Sequence, residues 1–359
     1  KHSENSSVNA AERKGDYWIF GGIFRPVYLK LSPALHISHV AVDAKADGSL
    51  KASVQASPNT SVSVELFDQK NTSLGKVNPV DLDAAGNAEL RHLFNGVLTW
   101  NPEQPTLYTA LFSLMKDGKL LHQVKKKIGF RTVEVRQRDG IYVNGQKIKF
   151  KGVNRHSFRP ESGRTTSKQI SIEDVATIKA MNMNAVRMSH YPPDDHFLDA
   201  CDSMGLFVLD ELAGWHGQYD TPTGSKLLKE MIDHDVNHPS IVLWVNGNEG
   251  GHNLELDPLF GKYDVQQRTV LHAWQLFNGI ETQHYREFGY GIGNYDKGRE
   301  IVMPTEFLHG QFDGGHGAGL EDYWEYMWSE PLQAGGFLWD YADQAVVRKD
   351  RNDSLDTDK

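Results

Sequence analysis

Between residues 38 and 130 apolar and polar positions alternate in short runs such as HVAVDA, ASVQAS, SVSVELF, LYTALFSLM and HQVKKKIGF. Strict alternation puts one face of an extended chain in a core and the other in solvent. Asp47-Gly48 and Asp117-Gly118 supply hairpin turns, and Pro-Asn and Asn-Pro pairs punctuate the remaining connections. Strands at this spacing predict an all-β, immunoglobulin-like sandwich. No titratable cluster stands out in it, so the plain reading is a structural spacer.

After Asp139-Gly140 the pattern changes. Short apolar runs at 148–153, 185–188, 207–209, 241–245, 269–272, 280–284, 301–303 and 336–339 alternate with amphipathic stretches at 172–181, 194–204, 226–236 and 323–328. Apolar strands alternating with helices predict a parallel α/β architecture, and eight strands predict a (β/α)8 TIM barrel. The polar RKDRNDSLDTDK follows the eighth strand, so the barrel is expected to lack its final helix. Residues 15–30 carry aromatic and β-branched residues around a Gly-Gly turn and read as a terminal strand too short to fold alone. The polar opening KHSENSSVNAAERKG has no initiator methionine and no apolar signal core, and reads as a trimmed, flexible lead-in.

Composition narrows the function classes. The 359 residues are 39% hydrophobic and 10% aromatic, enough for two or three cores. A net charge of -9 and a pI near 6.0 argue against nucleic acid as a partner. Lys125-Lys126-Lys127 reads as the solvated end of a strand. No window reaches the roughly 18 to 20 apolar residues of a membrane span. Cys201 is the single cysteine and sits in an amphipathic stretch, which predicts a buried, inert thiol. Compartment and oligomeric state are left open, a homo-oligomer included.

Two of the strands run straight into a glutamate. Glu249 follows IVLWVNGN and Glu306 follows IVMPT, which puts both carboxylates at the strand ends that form the active-site face of a barrel. Two such acids suit glycosidic bond cleavage, one protonating the leaving oxygen and the other stabilising or attacking the sugar cation. Ionised Glu306 is expected to raise the pKa of Glu249 and keep it ready to donate. Glycines flank Glu249 and are expected to let a ligand approach the backbone. His156, His190, His216 and His309 all fall at strand ends and suggest a pocket that reads hydroxyl groups. Arg187, inside a strand, needs a carboxylate partner, and Glu306 is the expected one. Trp339 ends the last strand, as a core ring or a face for sugar C–H groups.

Taken together, GGIFRPVYL (21–29), GFRTVEV (129–135), KGVNRHSF (151–158), RMSHYPPDDHFLDACDSMGLFVLDE (187–211), HPSIVLWVNGNEGG (238–251), PTEFLH (304–309) and GGFLWDYADQ (335–344) resemble glycoside hydrolase family 2. This is the family of the large bacterial β-galactosidases and β-glucuronidases. The resemblance implies that 1–32 is the remnant of an N-terminal sugar-binding β-sandwich, 33–132 the immunoglobulin-like sandwich and 133–359 the catalytic barrel. It makes Glu306 the nucleophile and Glu249 the general acid/base of a retaining exo-β-glycosidase. Asn248 is then a partner of the sugar 2-hydroxyl, His156, His190 and His309 line the sugar site, and Trp339 is its floor. Tyr285 is placed to hydrogen-bond the nucleophile, with Tyr290 as a competing choice.

Family β-galactosidases hold magnesium beside the acid/base through a Glu-x-His pair. Here DELAGWHGQ keeps His216 without the glutamate, so neither a metal nor another cofactor is expected. No basic pair between Glu306 and Trp339 matches the one that holds the sugar carboxylate in glucuronidases, which points to a neutral sugar and a β-galactosidase. The alternatives are a β-glucuronidase, another family 2 β-glycosidase, or a carbohydrate-binding fragment without turnover. The expected partner is a glycoside or oligosaccharide.

Overall fold

The computed structural model describes residues 3–286, 288, 298–310 and 317–356. The sandwich has strands β1 (Ile37–Ala44), β2 (Ser49–Ala56), β3 (Ser61–Phe67), β4 (Ser73–Lys76), β5 (Val80–Asp81), β6 (Asn87–Leu93), β7 (Tyr108–Lys116) and β8 (Lys119–Ile128). One antiparallel sheet has the order β1-β2-β6; the other runs β4-β3-β7-β8 with β5 also on β3. Alternation works as expected: in β2 every second side chain, Leu50, Ala52, Val54 and Ala56, is buried.

A small antiparallel sheet of β9 (Val133–Arg136), β10 (Gly140–Val143) and β11 (Gln146–Ile148) precedes the barrel, and Ile141 and Val143 plug its lower end. The barrel strands are β12 (Phe150–Arg155), β13 (Ala185–Met188), β14 (Phe207–Trp215), β15 (Ile241–Asn248), β16 (Val270–Leu271), β17 (Ile280–Glu281), β18 (Ile301–Val302) and β19 (Gly335–Leu338). Parallel ladders link β16-β15-β14-β13-β12-β19 and β17-β18, and the Val302–Gln333 bridge joins β18 to the segment entering β19. Between β16 and β17 side chains do the joining: Thr282 Oγ1 donates to the His272 carbonyl at 2.5 Å and Asn278 Nδ2 to that of Val270 at 2.9 Å. Helices α2 (Lys168–Ala180), α3 (Asp195–Met204), α4 (Thr221–Asp235), α5 (Asp257–Tyr263) and α6 (Leu320–Ser329) flank the strands. Cys201 is buried on α3, and no helix among the described residues is long and apolar enough to cross a membrane.

The first 32 residues depart from expectation. The lead-in forms helix α1 (Ser6–Arg13), capped by Asn5 and docked on the barrel mouth, where Ser7 Oγ donates to Asp220 at 2.6 Å and Tyr219 to Glu12 at 2.8 Å. Ala11 and Tyr17 are buried there. Residues 15–32 form no strand among the described residues. A strand needs a neighbour to pair its N–H and C=O groups, and Ile23 (83% exposed), Leu29 (93%) and Leu31 (94%) lie open to solvent instead.

Candidate active site

The upper ends of β13, β14, β15 and β19, with the loops after β17 and β18, surround a cavity of about 360 Å³. Asp16, His190, Trp215, Asn248, Glu249, Tyr285, Glu306, His309 and Trp339 line it. Most of the residues singled out from the sequence therefore meet here. His156 and Arg187 stand behind the wall: Tyr17 and His190 lie 5.2 and 5.4 Å from the His156 ring. His156 Nδ1 meets the Tyr191 hydroxyl at 3.0 Å, and burial pushes the ring well below its usual pKa, so it is neutral. His216 approaches Glu249 at 3.6 Å but is half exposed. Tyr290 lies outside the described residues.

Arg187 organises the floor. Its Nη1 donates to Glu306 Oε1 at 2.7 Å and to Asn154 Oδ1 at 3.0 Å; Nη2 donates to Asn248 Oδ1 at 2.8 Å, and Nε to Glu211 Oε2 at 2.8 Å. Arg187 and Glu211 are fully buried, a placement that is costly for either charge alone and tolerable for the pair. His190 Nδ1 reaches the other Glu211 oxygen at 3.1 Å, and the His190 and Trp339 rings stack with centroids 5.3 Å apart. The Tyr285 hydroxyl donates to Glu306 Oε2.

The acid pair is close. Glu249, Glu306 and His284 each offer an atom such that all three lie within 4.8 Å of one another. His284 Nδ1 is 2.9 Å from Glu249 Oε1 and 3.4 Å from Glu306 Oε2. Glu249 itself takes a left-handed backbone, φ 42°, as the chain leaves β15, and its Oε2 accepts the Trp215 indole N–H at 2.6 Å.

Family models match both halves of the chain: residues 31–131 match glycosyl hydrolases family 2, and residues 133–356 match the family 2 TIM barrel domain. The chain belongs to glycosyl hydrolase family 2. It is 31% identical over 377 residues to a β-galactosidase of Halalkalibacterium halodurans, covering 94% of this chain and 36% of that protein. A β-galactosidase of Lactobacillus delbrueckii subsp. bulgaricus is also 31% identical, with 93% and 36% covered. The chain thus spans about a third of the length of these relatives. Among solved structures, a family 2 member from Bacteroides cellulosilyticus superposes with TM-score 0.73 at 24% identity, covering 90% of this chain and 46% of that one. A Bifidobacterium dentium β-glucuronidase complexed with coumarin-3-O-glucuronide gives TM-score 0.75 at 21%, with 88% and 62% covered.

Two expectations for this family 2 site are revised by its geometry. Burial raises the Glu249 carboxyl, but the hydrogen bond and charge of His284, with the Trp215 N–H, outweigh it and bring Glu249 down to about 2. Glu306 is also lowered: burial opposes ionisation, and His284, Arg187 and His190 overcome it. The His284 ring standing between the acids outweighs their mutual repulsion. Of the glycines near Glu249, Gly250 faces open space, while Gly247 and Gly251 serve a different purpose. A Cβ on Gly251 would sit 2.4 Å from the Gly214 carbonyl carbon, so backbone packs on backbone where a ligand was expected to approach.

That packing bears on magnesium. The family's Glu-x-His position reads Gly214-Trp215-His216, and a Cβ at 214 would meet the Gly251 oxygen at 2.3 Å. No carboxylate fits there without moving the backbone, and the indole N–H already occupies Glu249 Oε2. The residues do not fit that ion. Among the described residues, the other group with ligand-type atoms within 4.8 Å, Asp199, Asp202 and His238, does not line the cavity.

Sequence reasoning gave no role to Glu211, Asn154, Trp215, His284, Asp16 or Tyr17. Glu211 and His284 carried a usable signal, as polar residues closing apolar strand runs (VLDE and IETQH). Asp16 and Tyr17 carried none, because only the return of the N-terminal segment across the barrel mouth brings them in.

Proposed function

We propose that this chain hydrolyses terminal β-linked sugars with retention of configuration, as a β-galactosidase, with Glu306 as nucleophile and Glu249 as general acid/base. The observation that carries the reading is the closeness of the acid pair, which puts one oxygen of each carboxylate within 4.8 Å of the other. Retaining enzymes hold their carboxyl groups about 5–5.5 Å apart and inverting ones about 6.5–9.5 Å, to leave room for water. Arg187 and Tyr285 both donate to Glu306, which keeps it ionised and aimed for in-line attack on C1. Arg187 occupies the Asn248 oxygen, so the amide N–H groups are left to donate to a sugar hydroxyl. Trp339, held flat against His190, supplies an apolar floor. The division into 1–32, 33–132 and 133–359 belongs to the same reading, with the sandwich as scaffold.

A neutral sugar is supported by the lining, which among the described residues contains no Lys or Arg. A glucuronide carboxylate would be desolvated there without a basic partner. A panel of aryl β-glycosides tests the proposal. Galactoside turnover should exceed that of glucuronide, and NMR should find the β-anomer released first; faster glucuronide cleavage or release of the α-anomer would each refute the corresponding part.

A further inference from the structure

We propose that His284 holds the catalytic proton in the resting site and passes it to Glu249, so that a Glu249–His284 pair, rather than Glu249 alone, is the acid that protonates the leaving group. This deepens the retaining reading above and rests on it.

Hydrogen-bond donors and acceptors around His284 locate the proton. Thr305 Oγ1 lies 3.2 Å from the Thr282 carbonyl, which can only accept, and 2.8 Å from His284 Nε2, so its one hydroxyl proton can turn to either. In the arrangement proposed, the hydroxyl turns to the carbonyl and its oxygen accepts from His284 Nε2, which then carries a hydrogen. The other ring nitrogen faces Glu249 Oε1 at 2.9 Å and Glu306 Oε2 at 3.4 Å. A bare Nδ1 lone pair against two ionised carboxylates would be repelled by both. One labile proton therefore lies on the line between Nδ1 and Glu249 Oε1. With Trp215 donating to Glu249 Oε2, the carboxylate is better served as the acceptor, and the proton rests on the imidazole. The lowered pKa of Glu249 agrees with this placement.

His284 is buried and faces a limited set of charges. Glu249 comes from the end of β15 and Glu306 from the loop after β18, with the Tyr285 phenol on its own segment. Arg187 and His190 reach the Glu306 side from β13 and the loop that follows it, and His216 reaches Glu249 from the end of β14.

The cycle balances. His284 Nδ1 passes its proton to Glu249, which hands it to the leaving oxygen as the C1–O bond of the glycoside breaks and Glu306 bonds to C1; Glu249 is left ionised, His284 neutral and Glu306 an ester. In the second half Glu249 removes a proton from water, the water oxygen bonds to C1, and the Glu306–C1 bond breaks. The proton then returns to Nδ1. The net charge of Glu249, His284 and Glu306 stays constant, so a buried site never carries two uncompensated carboxylates.

Nitrogen NMR of the histidine-labelled protein, with His284→Gln to assign the signal, reads the proton without any turnover. Both His284 ring nitrogens should be protonated at pH 7.5 in the resting protein; a bare nitrogen at either position overturns the proposal. Kinetics give the second test. In His284→Gln the basic limb of kcat/KM should move at least one unit to lower pH, because a carboxyl alone releases its proton more readily than an imidazolium. Loss should be at least tenfold for alkyl galactosides and small for aryl galactosides with acidic leaving groups. An equal loss for both with an unmoved basic limb makes His284 merely structural and sinks the idea. A wild-type chain that cleaves no glycoside, with a doubly protonated His284, rejects the glycosidase reading while leaving the proton placement standing.

Discussion

Arg187 and Glu306 form an ion pair of 2.7 Å that is closed to solvent on both sides. The same guanidinium also holds Glu211, Asn154 and Asn248, which no ammonium could do with that planar geometry. Arg187→Lys is expected to keep the charge and lose the orientation, with kcat/KM falling by about 10²-fold. Arg187→Ala strands two buried carboxylates and should destabilise the barrel by about 3–5 kcal/mol. Steady-state kinetics and urea titration separate the two effects.

The two glutamates should fail differently. Glu306→Gln removes the nucleophile and should abolish turnover of every substrate. Glu249→Gln should cost about 10²- to 10⁴-fold with poor leaving groups, yet still form the glycosyl-enzyme from activated aryl substrates. Added azide should then restore turnover as a β-glycosyl azide. Azide rescue of Glu306→Gln with that product would reverse the roles.

Chelation should matter little. Since Gly214 leaves no space for a carboxylate and Trp215 occupies Glu249, kcat/KM is expected to survive exhaustive EDTA treatment within about twofold, and calorimetry should find no magnesium binding at the site. Gly214→Glu, which would write in the missing residue, should lower stability without conferring magnesium affinity. A large loss with EDTA, restored by magnesium, would contradict the geometry.

Acid should act on the barrel through Asp264. Burial alone would raise this carboxyl, but the Arg268 guanidinium at 2.8 Å and the Trp244 N–H at 2.9 Å hold it well below the usual carboxylate range. Because the folded value lies under the unfolded one, its contribution to stability is complete above about pH 4 and disappears as pH falls toward the folded value. Asp264→Asn should therefore lower the urea midpoint at pH 7 much more than at pH 2. Trp244 fluorescence reports the transition.

Much of the barrel could be read locally because its strands are apolar on both faces and its helices on one, so periodicity carries the information. The sequence placed Glu249 and Glu306 at strand ends for the same reason, and β15 and β18 end just before them. The first 32 residues could not be read that way. Residues 15–30 have the composition of a strand, but a strand exists only if another edge pairs with it, and α1 formed because the mouth of the barrel offered Asp220 and Tyr219 as partners.

By itself, then, the chain determined its order of elements, its two acids and the absence of a glutamate at position 214, all properties of single positions or of short-range period. The protonation of the acid pair was decided only in three dimensions. His284 lies 35 positions from Glu249, and Trp215 lies 34 on the other side; both act on that carboxylate through contacts under 3 Å. Electrostatic coupling depends on distance and burial, and neither is written in the spacing of residues along a chain until the barrel closes.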